Sequence, residues 1–105
     1  MQNISFYRDD TGLLRARAAD KDQLLAAFLE TDIQEDTGMI SELLKQINAI
    51  QKGTRKRYET SGNAHALTLT PKRVTIESLY DNDARPYRRN LTFFKDTLVR
   101  WRKKI

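Results

Sequence analysis

A single histidine, His65, is the one plausible general base in this 105-residue chain, and base catalysis would need it beside an orienting acid and a nucleophile. It stands just after a tight-turn sequence, on a strand face shared with Leu67 and Leu69, and reads as a structural or surface histidine. The chain has no cysteine, which removes thiolate nucleophiles, thiolate metal sites and disulfides, and a lone histidine removes His-pair metal motifs. Asp9-Asp10 and Asp81-x-Asp83 resemble the start of carboxylate sites, but neither has the spaced oxygen ligands and glycine of a calcium loop. Glycines 12, 38, 53 and 62 are isolated, so no phosphate-cradling loop is present. The expectation is a protein that is not an enzyme, with no cofactor, no metal and no small-molecule substrate.

Charge supplies the remaining chemistry. Residues 1–51 hold five basic and nine acidic side chains, net −4, whereas residues 52–105 hold fourteen basic and five acidic, net +9. Such asymmetry steers charged partners and raises their encounter rate. Lys52, Arg55, Lys56 and Arg57 cluster beside Tyr58, and Arg88 and Arg89 follow Arg85, Pro86 and Tyr87; with the basic C-terminal stretch they could form an RNA-binding surface or a solvated basic face. Opposite in sign, Glu30, Asp32, Glu35 and Asp36 fall between two helical patterns, where capping accounts for one or two acids. They could form a protruding acidic knuckle aimed at the basic cleft of a nucleic-acid-cleaving protein.

The elements that must carry these groups follow from periodicity. Ile4 and Phe6 alternate with Ser5 and Tyr7, Asp9 to Gly12 offers turn chemistry, and Leu13 to Ala18 resumes an extended pattern, which predicts a β-hairpin. Asp20 is placed to cap a short helix through Leu24, Leu25, Phe28 and Leu29, and a longer helix from Asp36 or Thr37 follows from Met39, Ile40, Leu43, Leu44, Ile47 and Ile50, with Gly53 at its stop. Arg55–Thr60, Ala64–Thr70 and Arg73–Leu79 read as a three-stranded meander, and Tyr80–Tyr87 as a loop exposing Tyr80 and Tyr87 as anchors for a partner. Asn90 caps a C-terminal helix through Phe93, Phe94, Leu98 and Trp101. The predicted class is α+β: one domain over 1–105, with a single antiparallel sheet of about five strands covered on one face by helices. No run of about 18 to 20 apolar residues is present and Met1 to Arg8 lacks a signal-like layout, so the chain is expected to be cytoplasmic, without a membrane partner.

Phe6 to Arg17, Phe28 to Ile33, the Leu43-Leu44 helix, Gly62-Asn63 and the Val74-Ile76 strand resemble the YacL family of small bacterial proteins over roughly residues 4–79. The same layout, closed by a helix bearing tryptophan, is similar to immunity proteins of contact-dependent growth inhibition systems. That likeness implies an antitoxin-like inhibitor that binds a cognate toxin domain, often a nuclease, and blocks it by occlusion. Under it, Glu30, Asp32, Glu35, Asp36, Tyr80 and Tyr87 are the candidate partner contacts.

Overall fold

The computed structural model describes residues 4–105, so the first three residues of the Met1 to Arg8 segment lie outside it. Strands β1 (Ile4–Arg8) and β2 (Leu14–Ala18) pair antiparallel, with Ile4 opposite Ala18 and Arg8 opposite Leu14. Their turn is closed by Asp9, whose Oδ1 accepts from the Thr11 N–H, the Thr11 hydroxyl and the Leu13 N–H, while Gly12 takes φ +86°, which only glycine adopts without strain. A 3₁₀ turn over Asp20–Asp22 leads into α1 (Gln23–Phe28), and a π-helical turn over Leu29–Ile33 follows without a break.

Helix α2 (Thr37–Lys52) starts at Asp36, whose carboxylate accepts from the Met39 N–H at 3.0 Å, and stops at Gly53 with φ +85°. Helix α3 (Leu91–Lys104) is capped by Asn90, which accepts from the Phe93 N–H at 2.7 Å. Between these helices, β3 (Tyr58–Ser61), β4 (His65–Leu69), β5 (Arg73–Ser78) and β6 (Tyr87–Asn90) form one antiparallel sheet in sequence order.

Three expectations change. The strands divide into a two-stranded and a four-stranded sheet, in place of one sheet of five: β1–β2 packs onto α1 and α3 and pairs with no strand of the meander among the described residues. The segment ending at Tyr87 enters a sixth strand, with Ile76 opposite Tyr87 and Thr75 opposite Arg88. Asp20 does not cap α1: no side chain caps its N-terminus, and the neighbouring Asp22 is fully buried.

The core joins both sheets through the helices. Phe28, Phe94 and Trp101 are fully buried, Leu67, Leu69, Val74 and Ile76 face them from the four-stranded sheet, and Phe6 meets Trp101 edge-on at 5.2 Å from the hairpin. Among the described residues no helix is long and apolar enough to cross a membrane.

Candidate nucleic-acid interface

The fold consumes the acidic stretch. Glu30 accepts the Ala16 N–H at 2.7 Å and pairs with Arg15 at 3.2 Å, which stitches the π-helical turn to β2. Glu35 takes a two-pronged contact from Arg8 at 3.0 and 3.1 Å, and the same guanidinium donates to the carbonyls of Gly12 and Lys104. Arg8 holds the Glu35 carboxyl below the ordinary carboxylate range. Asp36 is the cap of α2.

Asp32 is buried rather than exposed, which corrects its reading as a surface contact. Its Oδ2 accepts the N–H groups of Ala64 and His65, both at 3.0 Å, and its Oδ1 lies 2.8 Å from His65 Nδ1 and accepts the Thr31 hydroxyl. Burial pushes this carboxyl upward, but the donors from Thr31, His65 and Ala64 outweigh it and hold it below the usual range. Gly62 fits the arrangement: a Cβ there would press into the Asp32 carboxylate, within 2.9 Å of its Cγ. In the β3–β4 hairpin, Gly62 donates to the His65 carbonyl at 2.9 Å, while the return bond from the His65 N–H goes to Asp32. The carboxylate therefore takes a strand's place in closing the turn.

His65 thus has the orienting acid that base catalysis requires, but the Thr31 hydroxyl is spent on Asp32 and on the Ala27 carbonyl. Phe28 covers the ring edge-on at 6.0 Å. The dyad is built to hold the hairpin.

Tyr87 is also buried, because it sits on the inner face of β6 and not in an open loop. Its hydroxyl donates to Asp22 at 2.6 Å, and burial followed by this contact pushes the phenol far above its ordinary range. Arg89 approaches the same oxygen, Oδ1, at 3.5 Å, and Oδ2 has no hydrogen-bond partner among the described residues. Tyr87→Phe is therefore expected to cost about 1 to 3 kcal/mol by stranding a buried carboxylate. Urea denaturation checks this; an unchanged midpoint would show that Asp22 has no need of the phenol. Tyr80, in contrast, is 79% exposed.

The cations lie outside. Among the described residues Lys52, Arg55, Lys56 and Arg88 are exposed and make no ion pair, whereas Arg57 pairs with Glu59 at 2.7 Å and Arg89 stacks on Phe93 at 3.7 Å while facing Asp22. The structure adds Lys45 to these cations and brings it together with Lys52 and Arg102. Helices α2 and α3 pack antiparallel, as Gln51 meets Lys95 near one end and Ser41, Lys45 and Arg102 share a groove toward the other. That groove encloses about 610 Å³, and Lys45, Lys52 and Arg102 line it with Asn48 and Thr54 and no carboxylate. The spacing Ser41, Lys45, Asn48, Lys52 marks one helix face, which was the available signal. A second groove, of about 460 Å³ between β1 and α3, adds Lys103 and Lys104. Among the described residues, no cluster of three or more His, Asp or Glu side chains is arranged to hold a metal ion.

Comparison with known proteins adds the relationship. A UPF0231 protein of Aliivibrio salmonicida is 27% identical over 79 residues, covering 73% of this chain and 64% of that relative, so the chain spans under two thirds of the length of the curated relative it matches. No solved structure matches. Neither finding bears on the likeness to YacL or to immunity proteins. The family model described as "Uncharacterised protein family (UPF0231)" matches residues 3–98, nearly the whole chain, and the protein accordingly belongs to the UPF0231 family.

Proposed function

We propose that this protein is a non-enzymatic binding module of the cytoplasm that holds RNA by its phosphate backbone. The observation that supports it is the unequal use of charge: Glu30 and Asp32 are drawn into the fold, and exposed Glu35 and Asp36 hold Arg8 and the start of α2, while Lys45, Lys52, Arg55, Lys56, Arg88 and Arg102 are exposed without ion pairs among the described residues. A groove bearing three cations and no acid suits a polyanion. With no aromatic residue lining it, backbone contact rather than base stacking is the mode it favours.

Titration of a labelled RNA duplex tests the reading. If about four phosphates are neutralised, affinity should fall about a hundredfold between about 50 and 200 mM monovalent salt. Salt-independent binding, or none at low salt, would remove RNA as the ligand.

One observation favours the second reading, a toxin-neutralising partner of a contact-dependent inhibition system. Tyr80, 79% exposed, stands between exposed Leu79 and Asp81 in the β5–β6 loop, and an exposed aromatic beside acids suits a hot-spot anchor. That reading shifts the contact from the acidic knuckle to this loop. A cognate toxin whose inhibition survives Tyr80→Ala would count against it.

A further inference from the structure

The four-stranded sheet ends at β3, whose outer edge has no neighbouring strand among the described residues. Which of its backbone groups point outward follows from the register. Gly62 donates to the His65 carbonyl, so Gly62/His65 is a hydrogen-bonded pair; alternation in an antiparallel ladder makes Thr60/Leu67 and Tyr58/Leu69 the next such pairs. Glu59 and Ser61 form the intervening pairs with Thr68 and Ala66, so their N–H and C=O groups face away from β4. Two residues of spacing separate them, which is the repeat an added strand reads.

Beside this edge runs a groove of about 430 Å³ toward α2. Its floor is apolar, from buried Leu43 and half-buried Met39 and Tyr58. Its helix wall carries Asp36 and Glu42, and no cation lines it. Each of these carboxylates has one described partner, the Met39 N–H for Asp36 and the Gln46 amide for Glu42. Outside this groove, on the other face of β3, Glu59 is exposed and shared with Arg57. Helix α2 thus separates a basic groove on its α3 side from an acidic one on its β3 side.

We propose that the β3 edge is a strand-addition site for an extended basic segment of a partner protein, in which apolar residues alternate with lysine or arginine. This goes beyond the RNA reading and uses a different face. Side chains directly opposite one another across two strands share a face of the sheet. Residues paired with Tyr58 and Thr60 therefore point into the Met39–Leu43 groove and should be apolar, while those paired with Glu59 and Ser61 lie on the outer face and should be basic. The basic residues are also the ones whose N–H groups bond to β3. Backbone bonds give the affinity and the alternating side chains give the selectivity.

The test uses the whole protein and fluorescein-labelled octapeptides of alternating lysine and valine. Saturable binding is expected, with N-methylation of the lysine amides weakening it at least about tenfold and N-methylation of the valine amides changing it less than about twofold. Glu59→Lys, on the outer face that the peptide lysines share, should weaken it about threefold or more without weakening the RNA titration. Equal sensitivity to both methylation patterns would reduce the contact to charge adsorption and overturn the proposal. Absence of saturable binding would overturn it too, as would a concentration-dependent dimer that the peptide does not dissociate, which would assign the edge to a second copy of the chain.

Discussion

Asp32→Ala is expected to lower the unfolding free energy by about 3 to 5 kcal/mol, as one carboxylate accepts four donors in a buried place. Alanine would leave the Ala64 and His65 N–H groups and the His65 ring without their acceptor. Asn is expected to cost less, because its oxygen can still accept the two backbone N–H groups while its NH₂ faces the Thr31 hydroxyl and the His65 ring nitrogen, either of which can accept. The pH dependence has a definite sign. Asp32 titrates below its unfolded value, so its contribution is fully present above the ordinary carboxylate range of about 4 and is lost as pH falls through the lower folded value. Wild type should lose this increment on acidification in that window, and Asp32→Ala should lack it. Urea unfolding at neutral pH and near pH 3 measures both. A variant within about 1 kcal/mol of wild type at neutral pH would show that the turn closes without the carboxylate.

Trp101→Ala should cost a similar amount, about 3 to 5 kcal/mol, by a different route. The indole is fully buried, meets Phe6 edge-on, and donates Nε1–H to the Gln34 carbonyl at 2.7 Å. Gln34 holds φ +52°, a conformation that non-glycine residues adopt only when their surroundings impose it. The tryptophan therefore joins α3, the hairpin and the exit from the π-helical turn, and its removal opens a cavity while releasing a strained residue. Trp101→Phe separates the two effects: it keeps most of the packing, strands the carbonyl, and should cost about 1 to 3 kcal/mol. Thermal unfolding followed by circular dichroism, which does not depend on the chain's single tryptophan, distinguishes these values. Equal losses for both variants would place the whole effect in the hydrogen bond.

Local signals carried the parts of the fold whose causes are local. The spacing from Met39 to Ile50, Asp36 as cap and Gly53 as stop delimit α2, and Asn90 starts α3, because periodicity and end-capping act within a few residues. Tyr87-Arg88-Arg89-Asn90 carries no apolar alternation to announce a strand, and its pairing with β5 is decided by the sheet. The roles of Asp22 and Asp32 depend on Tyr87 and His65, 65 and 33 residues away, which no window along the chain can join. The same holds for the charges. A run of acids between helices looks the same in sequence whether all of it protrudes or part of it, here Glu30 and Asp32, is drawn inward by Arg15, β2 and a hairpin turn. The basic clusters were legible as clusters, but their union with Lys45 and Arg102 in one groove required the antiparallel packing of α2 on α3.

The combined charge reversal Lys45→Glu, Lys52→Glu and Arg102→Glu addresses the binding face most directly, since all three are exposed and enter no ion pair among the described residues, so the fold should persist at the small cost of acids in the last turns of α2 and α3. Anisotropy titration of a labelled RNA duplex at low salt should show at least about a hundredfold loss of affinity for this variant, with Tyr80→Ala unchanged from wild type. Wild-type affinity in the folded triple variant would contradict a phosphate-binding role for the α2–α3 groove.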